Sequence, residues 1–296
     1  MSEKKKILIQ LDSDAHASVF DRVVALDAGV EEMFSYGGVT VEQVRGMVHG
    51  AIFTRGPADL HRTAIFIGGS DLETGEAMLQ SATESFLGPL RVSVLLDSSG
   101  ANTTASAAVS VVAKTVDLRE ASVLVLGGTG LVGRRVVRLL AREGARVRLG
   151  SRTIEKSTEA SSSIRELAAR KGLAEVENAE LTPVATGDEG KLRDAMDGVD
   201  VVISAGAIGV SLLPESVWKA AEGLRMLVDL NAVPPLGIEG VEVTARAVEQ
   251  DGVICYGAVG VGGTKMKIHK AAIRALFEKN DQVLDAEAIY ELARNL

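Results

Sequence analysis

The amino-acid sequence predicts an α/β protein with two domains, each built around a parallel sheet. Its 296 residues and hydrophobic share of 46% are enough to bury two cores. Short apolar runs alternate with helical patterns, and strands separated by helices form parallel sheets with right-handed crossovers. A glycine-rich turn opens the second series of these units. We therefore predict one domain of residues 1–118 plus 266–296 and another of residues 119–265.

Four apolar runs of the first domain are candidate strands, and each is followed by a helical pattern. The strands are Ile7 to Leu11, Met33 to Tyr36, Ala64 to Ile67 and Val92 to Leu96. The helices begin near Ala17, Val41, Leu72 and Thr103. Ligands of open parallel sheets bind beyond the carboxyl ends of the strands, so the loops at those ends are the first candidates for a site.

The second domain continues the alternation of strand and helix. Its candidate strands are Ser122 to Leu126, Val147 to Leu149, Asp200 to Ser204, Met226 to Leu230 and Val253 to Tyr256. The serine-rich stretch Thr158 to Ala169 keeps apolar residues at helical spacing, so we predict a helix there rather than a linker. Two final helices are predicted over Met266 to Glu278 and Ala286 to Arg294, and we expect them to pack on the first domain.

Two further segments of the second domain are shaped by glycine and proline. One reads VDLNAVPPLGIEG and carries Asp229 and Asn231, and the other runs from Tyr256 to Lys265. Glycine and proline interrupt regular structure. We therefore predict that both segments are loops that line a binding cleft.

Charge and composition argue against several classes of partner. The net charge of -8 and the scattered Lys and Arg residues argue against nucleic acid. No apolar run approaches the roughly 20 residues that cross a bilayer, and acidic residues come too early for a signal peptide. A single cysteine, Cys255, excludes an internal disulfide, and the four histidines are too dispersed for a metal site. We expect a cytoplasmic protein with no metal and no membrane partner.

The segment SVLVLGGTGLVGRRVVRLL has the spacing of a dinucleotide-binding turn. Its glycines directly follow an apolar strand and open a helix. We predict that Gly128 permits the tight turn, Gly130 lets the backbone approach a pyrophosphate, and Gly133 lets helix and strand pack closely. The N–H groups and the positive dipole end of the helix then favour phosphate. The predicted contacts in this turn are Gly128, Thr129, Gly130, Leu131, Val132 and Gly133.

The next strand ends in RVRLGSR, where NAD-binding proteins carry an acidic residue for the ribose hydroxyls. Ser151 and Arg152 occupy that place here. A carboxylate would repel a 2′-phosphate, whereas a hydroxyl and a guanidinium can hold it with charge-assisted hydrogen bonds. The sequence therefore favours NADP, with Lys156 as a further cation. The alternative is that Arg152 is a solvated surface residue.

Small residues at the end of the next predicted strand, in VVISAGAIG, are suited to lie against a flat nicotinamide ring. A close-packed turn is the alternative. Asn231, in the loop that follows the next strand, is another candidate for cofactor binding. The predicted contacts at the strand end are Ser204, Ala205, Gly206, Ala207 and Ile208.

Seven motifs together resemble one known family. They read LDSDAHASVFD, IFTRGPADLHRTAIFIGG, LDSSGANTTASAA, GGTGLVG, SAGAIG, DLNAVPPLGIEG and GAVGVGGTKMKIHKA. This combination is similar, nearly end to end, to the NADP-dependent methylenetetrahydromethanopterin dehydrogenases of methylotrophic bacteria, some of which also accept methylenetetrahydrofolate. The resemblance implies a Rossmann-type NADP-binding domain, an N-terminal α/β substrate domain, a reduced pterin in the cleft between them, and a trimeric or hexameric homo-oligomer. Local departures at SSGAN and LGSR leave NAD and the choice of pterin open.

The same resemblance places the pterin near Ser18, Asp21, Asn102, Thr103 and Lys265, with Lys267 nearby. Each assignment has a structural alternative: Lys265 could be an exposed lysine, Asp21 a solvated first-turn carboxylate, and Asn102 and Thr103 helix-cap residues. The implied reaction transfers a hydride from the methylene carbon and leaves a methenyl cation. No proton leaves with the hydride, so Lys265 is expected either to be partly neutral or to bind the pterin ring away from the reacting carbon.

Two other functions fit parts of the same pattern. A shikimate-type NADP-dependent dehydrogenase of a small hydroxy or keto acid would use a lysine and aspartate couple, and a dinucleotide sensor would bind the cofactor without turnover. Bifunctional folate dehydrogenase-cyclohydrolases carry a tyrosine and a lysine four residues apart. No tyrosine of this chain has lysine at that spacing, so cyclohydrolase activity is not expected.

Overall fold

The structure is a computed structural model that describes residues 4–296. The chain forms two compact units. The first comprises the described residues up to Thr103 together with Met266–Leu296, and the second is Thr104–Lys265. The sequence places this first boundary later, after residue 118. The chain instead passes from one unit to the other inside a continuous helix, which a boundary sought in loops cannot reveal.

Twelve strands and eleven α-helices make up the described chain. The strands are β1 (Ile7–Asp12), β2 (Glu32–Tyr36), β3 (Thr63–Gly68), β4 (Ser93–Leu96), β5 (Ser122–Leu126), β6 (Arg146–Ser151), β7 (Leu181–Ala185), β8 (Val201–Ser204), β9 (Met226–Asp229), β10 (Arg246–Gln250), β11 (Val253–Tyr256) and β12 (Val283–Leu284). The helices are α1 (Val19–Asp27), α2 (Val41–Ile52), α3 (Leu72–Glu84), α4 (Ala101–Ala113), α5 (Leu131–Arg142), α6 (Ile154–Lys171), α7 (Ala174–Glu177), α8 (Glu189–Met196), α9 (Glu215–Trp218), α10 (Ala258–Ala275) and α11 (Ala286–Arg294). None of the helices within residues 4–296 has the length and apolar character to cross a bilayer.

The first unit is built on a five-stranded parallel sheet with the order β12-β4-β3-β1-β2. Strand order reverses between β1 and β3, so the loops at the carboxyl ends of these strands diverge and leave a crevice. The face that carries Leu11, Ile65 and Val94 packs against α2 and α3 to form the core of this unit. Strand β12 adds the C-terminal segment to this sheet through its pairing with β4.

The second unit contains a seven-stranded sheet with the order β10-β11-β9-β8-β5-β6-β7. All neighbouring pairs are parallel except β10 and β11, which are antiparallel. Numbered in chain order, the parallel strands β7-β6-β5-β8-β9-β11 have the arrangement 3-2-1-4-5-6 of a Rossmann fold. The order reverses between β5 and β8. The predicted α/β class with two parallel-sheet domains is confirmed.

Helix α10 corrects one prediction. It begins at Ala258, whereas the sequence predicts a loop from Tyr256 to Lys265 and a helix only from Met266. The glycines that indicate a loop serve close packing instead, because a Cβ on Gly260 would lie closer than 3.0 Å to the Ala245 carbonyl oxygen. The first turn of α10 can therefore approach the backbone before β10.

Candidate functional site

Glycines occupy the most crowded positions of the turn after β5. Gly127 has a φ of +69°, and a Cβ there would lie 2.6 Å from the Cα of Gly206 in the loop after β8. A Cβ on Gly128 would lie 2.9 Å from the Cγ of Leu149, and one on Gly133 would lie 2.8 Å from the Cα of Gly128. The left-handed residue of the turn is thus Gly127, directly before Gly128, which the sequence predicts to permit the tight turn.

Helix α5 begins at this turn with unused backbone donors. Its N-cap is Gly130, no side chain caps its first N–H groups, and its first turn has no acidic residue. A Cβ on Gly130 would have Gly127 and Ala205 carbonyl oxygens at 3.4 and 3.7 Å as its nearest neighbours, so no described atom crowds this position. Free N–H groups at the positive end of a helix bind phosphate. The turn therefore fits the pyrophosphate of a dinucleotide.

Two cationic side chains follow the end of β6. Arg152 and Lys156 are exposed, and neither head group forms a hydrogen bond or ion pair within residues 4–296. Glu155 stands between them in the first turn of α6, and hydrogen bonds from its own backbone and from Thr153 lower its pKa. Ser151 is buried immediately before them. Two free cations against one carboxylate leave this strand end positive, which suits a 2′-phosphate.

The loop after β9 is held by a buried carboxylate. Asp229 accepts hydrogen bonds from the backbone N–H groups of Asn231 and Ile238, both at 3.0 Å, and burial raises its pKa. The side chain of Asn231 is also held within its own loop, since its Nδ2 donates to the Pro235 carbonyl at 3.2 Å. In the segment 204–208, Ser204 is buried and Ile208 is exposed. The exposed part of that segment remains accessible to a ligand.

Ser18 and Asp21 lie together at the start of α1 in the first unit. The Oγ of Ser18 accepts a hydrogen bond from the Asp21 N–H at 3.2 Å and caps the helix. Asp21 is buried, and its Oδ1 lies 3.8 Å from Nε2 of His269 on α10. The His269 ring stacks on Phe66 with 5.9 Å between centroids. The sequence counts His269 only among dispersed histidines, because a lone histidine carries no signal of burial beside a carboxylate.

Asn102 and Thr103 are buried at the start of α4. The amide of Asn102 donates to the Leu96 carbonyl at 2.6 Å, and the hydroxyl of Thr103 donates to the Asp97 carboxylate at 2.7 Å. Asp97 also accepts the backbone N–H groups of both residues. These contacts agree with the helix-start alternative, and they identify Asp97, which belongs to no predicted contact set, as the residue that organises the start of α4.

Lys265 and Lys267 both lie on α10. Lys265 is half-buried and Lys267 is exposed. Residues two apart on a helix do not face each other, whereas residues four apart share a face. Lys265 therefore shares a helix face with His269 rather than with Lys267.

Neither a metal-ligand cluster nor an ionised thiol is found among residues 4–296. No cluster of three or more His, Cys, Asp or Glu side chains within residues 4–296 is placed to hold a metal ion. Burial raises the pKa of the Cys255 thiol to about 11, so it is protonated at neutral pH.

The fold and the turn after β5 together define a Rossmann-type dinucleotide-binding protein with a second α/β domain. Residues 19–99 match the family model of the N-terminal domain of methylene-tetrahydromethanopterin dehydrogenase, and residues 123–226 match that of the NAD dependent epimerase/dehydratase family. The bifunctional protein MdtA of Methylorubrum extorquens is 41% identical over 294 residues and is covered to 99%, as is this chain. The NAD(P)-dependent methylenetetrahydromethanopterin dehydrogenase of the same organism is 32% identical, with 98% of each chain covered.

The chain belongs to the methylene-tetrahydromethanopterin dehydrogenase family, and the predicted family is confirmed. Among solved structures, quinate dehydrogenase from Corynebacterium glutamicum in complex with NAD is similar with a TM-score of 0.52 at 11% identity, over 99% of each chain. At that identity the likeness shows the fold alone.

Proposed function

We propose that this protein is an NADP-dependent dehydrogenase that oxidises the methylene bridge of methylenetetrahydromethanopterin to the methenyl form in one-carbon metabolism. Methylenetetrahydrofolate has the same reacting group and is the second candidate substrate. The full-length similarity to a relative that bears this activity in its name supports the proposal. The observation that carries it is the glycine-rich turn of Gly127 to Gly133, followed at the end of the next strand by Arg152.

Each part of the cofactor has a matching group in the second unit. The first N–H groups of α5, at Leu131, Val132 and Gly133, would hold the pyrophosphate. Arg152 and Lys156 would hold the 2′-phosphate, and the carboxylate that favours NAD is absent from the end of β6. The segment 204–208 would border the nicotinamide. When bound, the dinucleotide supplies the hydride acceptor.

The chemistry asks for orientation rather than acid-base catalysis. Hydride loss from the methylene carbon leaves a cation that both neighbouring nitrogen lone pairs stabilise, and no proton leaves with it. The residues of the protein must therefore bring the bridge carbon within about 3 to 3.5 Å of the acceptor and exclude water. A general base is not required.

Lys265 is the proposed catalytic contact with the pterin, and Ser18 and Asp21 are proposed substrate contacts. A fully charged ammonium beside the bridge carbon would oppose formation of the cation, so Lys265 binds the pterin ring at a distance from that carbon. Asp21 provides a buried carboxylate of the kind that pairs with a ring amine. Lys267 is exposed and is the less favoured contact of the pterin. Asn102 and Thr103 are buried and stabilise the substrate domain.

The proposal also covers the cellular location and the oligomeric state of the enzyme. We propose a cytoplasmic homo-oligomer, a trimer or a hexamer, as the family resemblance implies. Analytical ultracentrifugation of the purified chain tests this, since a monomer at micromolar concentration contradicts it.

The proposed reaction is tested with the purified protein and each pterin, by following the absorbance of the methenyl product. We expect turnover with NADP to exceed turnover with NAD. Absence of turnover with both pterins, in protein that binds NADP, would overturn the proposed reaction and favour a hydroxy acid substrate or a sensor.

A further inference from the structure

The loop after β7 is joined to the end of β6. The backbone N–H of Thr186 donates to the Ser151 carbonyl at 2.7 Å, and the Thr186 hydroxyl donates to the same oxygen at 3.1 Å. The two strands are also in parallel register up to Ser151 and Ala185. Thr186 therefore fixes the peptide that links Ser151 to Arg152.

Gly187 lies directly against the next peptide. A Cβ at this position would come closer than 3.0 Å to the carbonyl oxygen of Arg152, and it would lie 3.5 Å from the Arg152 Cα. The obstructing atoms belong to the backbone, so no side-chain rotation can relieve the clash. The backbone angle of Gly187 is not left-handed. Glycine is thus needed here for close approach to Arg152 rather than for its conformational freedom.

The loop ends at the N-cap of α8. Asp188 caps α8 by accepting the Lys191 N–H at 2.9 Å, and its carboxylate pairs with the Lys191 ammonium at 2.8 Å. On the opposing side, Thr153 caps α6 immediately after Arg152. The contact between Gly187 and Arg152 therefore lies between the N-caps of two helices, and a shift of the loop away from a larger residue at position 187 would disturb these caps.

We propose that Thr186 and Gly187 are positioning residues for cofactor specificity, which set the backbone of Ser151 and Arg152 so that the guanidinium meets the 2′-phosphate. This inference rests on the proposed function, specifically on Arg152 as the 2′-phosphate contact. Charge-assisted hydrogen bonds require donor to acceptor distances of about 2.7 to 2.9 Å, so a displacement of the Arg152 backbone weakens them. NAD lacks the 2′-phosphate and is insensitive to that displacement.

The test is the substitution Gly187→Ala, with dissociation constants for NADP and NAD measured on the full chain by isothermal titration calorimetry. We expect NADP to bind on the order of tenfold more weakly and NAD to change by less than about twofold. Gly190→Ala is the matched control, since its Cβ would have only Asp188 Oδ1 nearby, at 3.5 Å. Thr186→Val keeps the backbone hydrogen bond to Ser151 and removes the hydroxyl hydrogen bond. It replaces Gly187→Ala if that variant fails to fold, and we expect it to cause a smaller selective loss of NADP affinity.

The same measurement in an Arg152→Ala background separates positioning from general damage. If Gly187 acts through Arg152, the substitution Gly187→Ala no longer changes NADP affinity selectively in that background. Equal loss of NADP and NAD binding, or no loss of either, overturns the inference and leaves the proposed function intact. If Arg152→Ala itself leaves the ratio of NADP to NAD affinity unchanged, the assignment of Arg152 fails and the inference fails with it.

Discussion

The carboxylate of Asp21 lies 3.8 Å from Nε2 of His269, and both side chains are buried in the first unit. Asp21 is on α1 and His269 is on α10, so the contact joins residues far apart in the sequence. Phe66 stacks on the imidazole from β3, and the Phe20 ring lies 6.2 Å from it. Asp21, a proposed contact of the substrate, is therefore packed against the same helix, α10, that carries Lys265.

His269→Ala is predicted to destabilise the protein by about 2 to 4 kcal/mol, because it removes a fully buried ring and leaves a cavity beside Phe66. Urea unfolding followed by circular dichroism measures this. His16→Ala changes an exposed histidine of the same unit and should stay within about 0.5 kcal/mol of the parent. Similar unfolding midpoints for the parent and His269→Ala would show that the buried contact contributes little.

Gly133→Ala is predicted to weaken NADP and NAD alike, by on the order of tenfold or more, since the new Cβ would push α5 away from the turn at Gly127. Equilibrium titration with each dinucleotide gives the two constants. Gly46→Ala, in α2 with no atom within 4 Å of the new Cβ, is the control and should leave binding unchanged. A loss confined to NADP would contradict the assignment of this turn to the pyrophosphate.

Lys265→Ala is predicted to lower kcat/KM for the pterin by on the order of 100-fold and to change NADP affinity by less than about threefold. The reason is that Lys265 contacts the substrate rather than the dinucleotide. Lys267→Ala removes the same charge from another face of α10 and should have a much smaller effect. Steady-state kinetics with both variants decides the matter, and equal effects of the two would argue against a specific role for Lys265.

Cys255 is predicted to be unreactive in the folded protein. Burial raises its pKa from 9.0 to about 11, so the thiolate fraction at pH 8 falls from roughly one tenth to about one thousandth. The unfolded chain loses this proton first, so the contribution of Cys255 to stability decreases as pH rises from 9 to 11. A colorimetric thiol reagent at pH 8 should detect a thiol only after denaturant is added, and fast reaction of native protein would show that the thiol is accessible.

The local spacing of apolar residues predicts most of the fold, because this spacing follows directly from which side chains are buried. Strand β5 has the predicted bounds, since five consecutive apolar or small residues are buried on both faces. Helix α6 was predicted despite its serine run, and its buried Ser157 donates to the Leu149 carbonyl. By contrast, the sequence predicts a loop at the first turns of α10. A glycine that interrupts a helix cannot be distinguished by sequence from a glycine that makes room for a neighbouring backbone.

The candidate site was less predictable because its roles depend on contacts between distant segments. Motif similarity selected Asn102 and Thr103, but it could not separate ligand contacts from residues that hold α4 to Asp97. Gly187 follows no recognised motif, and only the fold places it against Arg152. The glycine turn itself was predictable because its residues are adjacent in sequence.

The most direct test of the proposed reaction is transfer of the label from methylenetetrahydromethanopterin in which both hydrogens of the methylene bridge are deuterium. Mass spectrometry of the reduced dinucleotide after turnover with NADP measures where the deuterium goes. Direct hydride transfer predicts one deuterium on the reduced NADP, with no exchange from solvent. Unlabelled reduced dinucleotide, or none at all, would contradict the account.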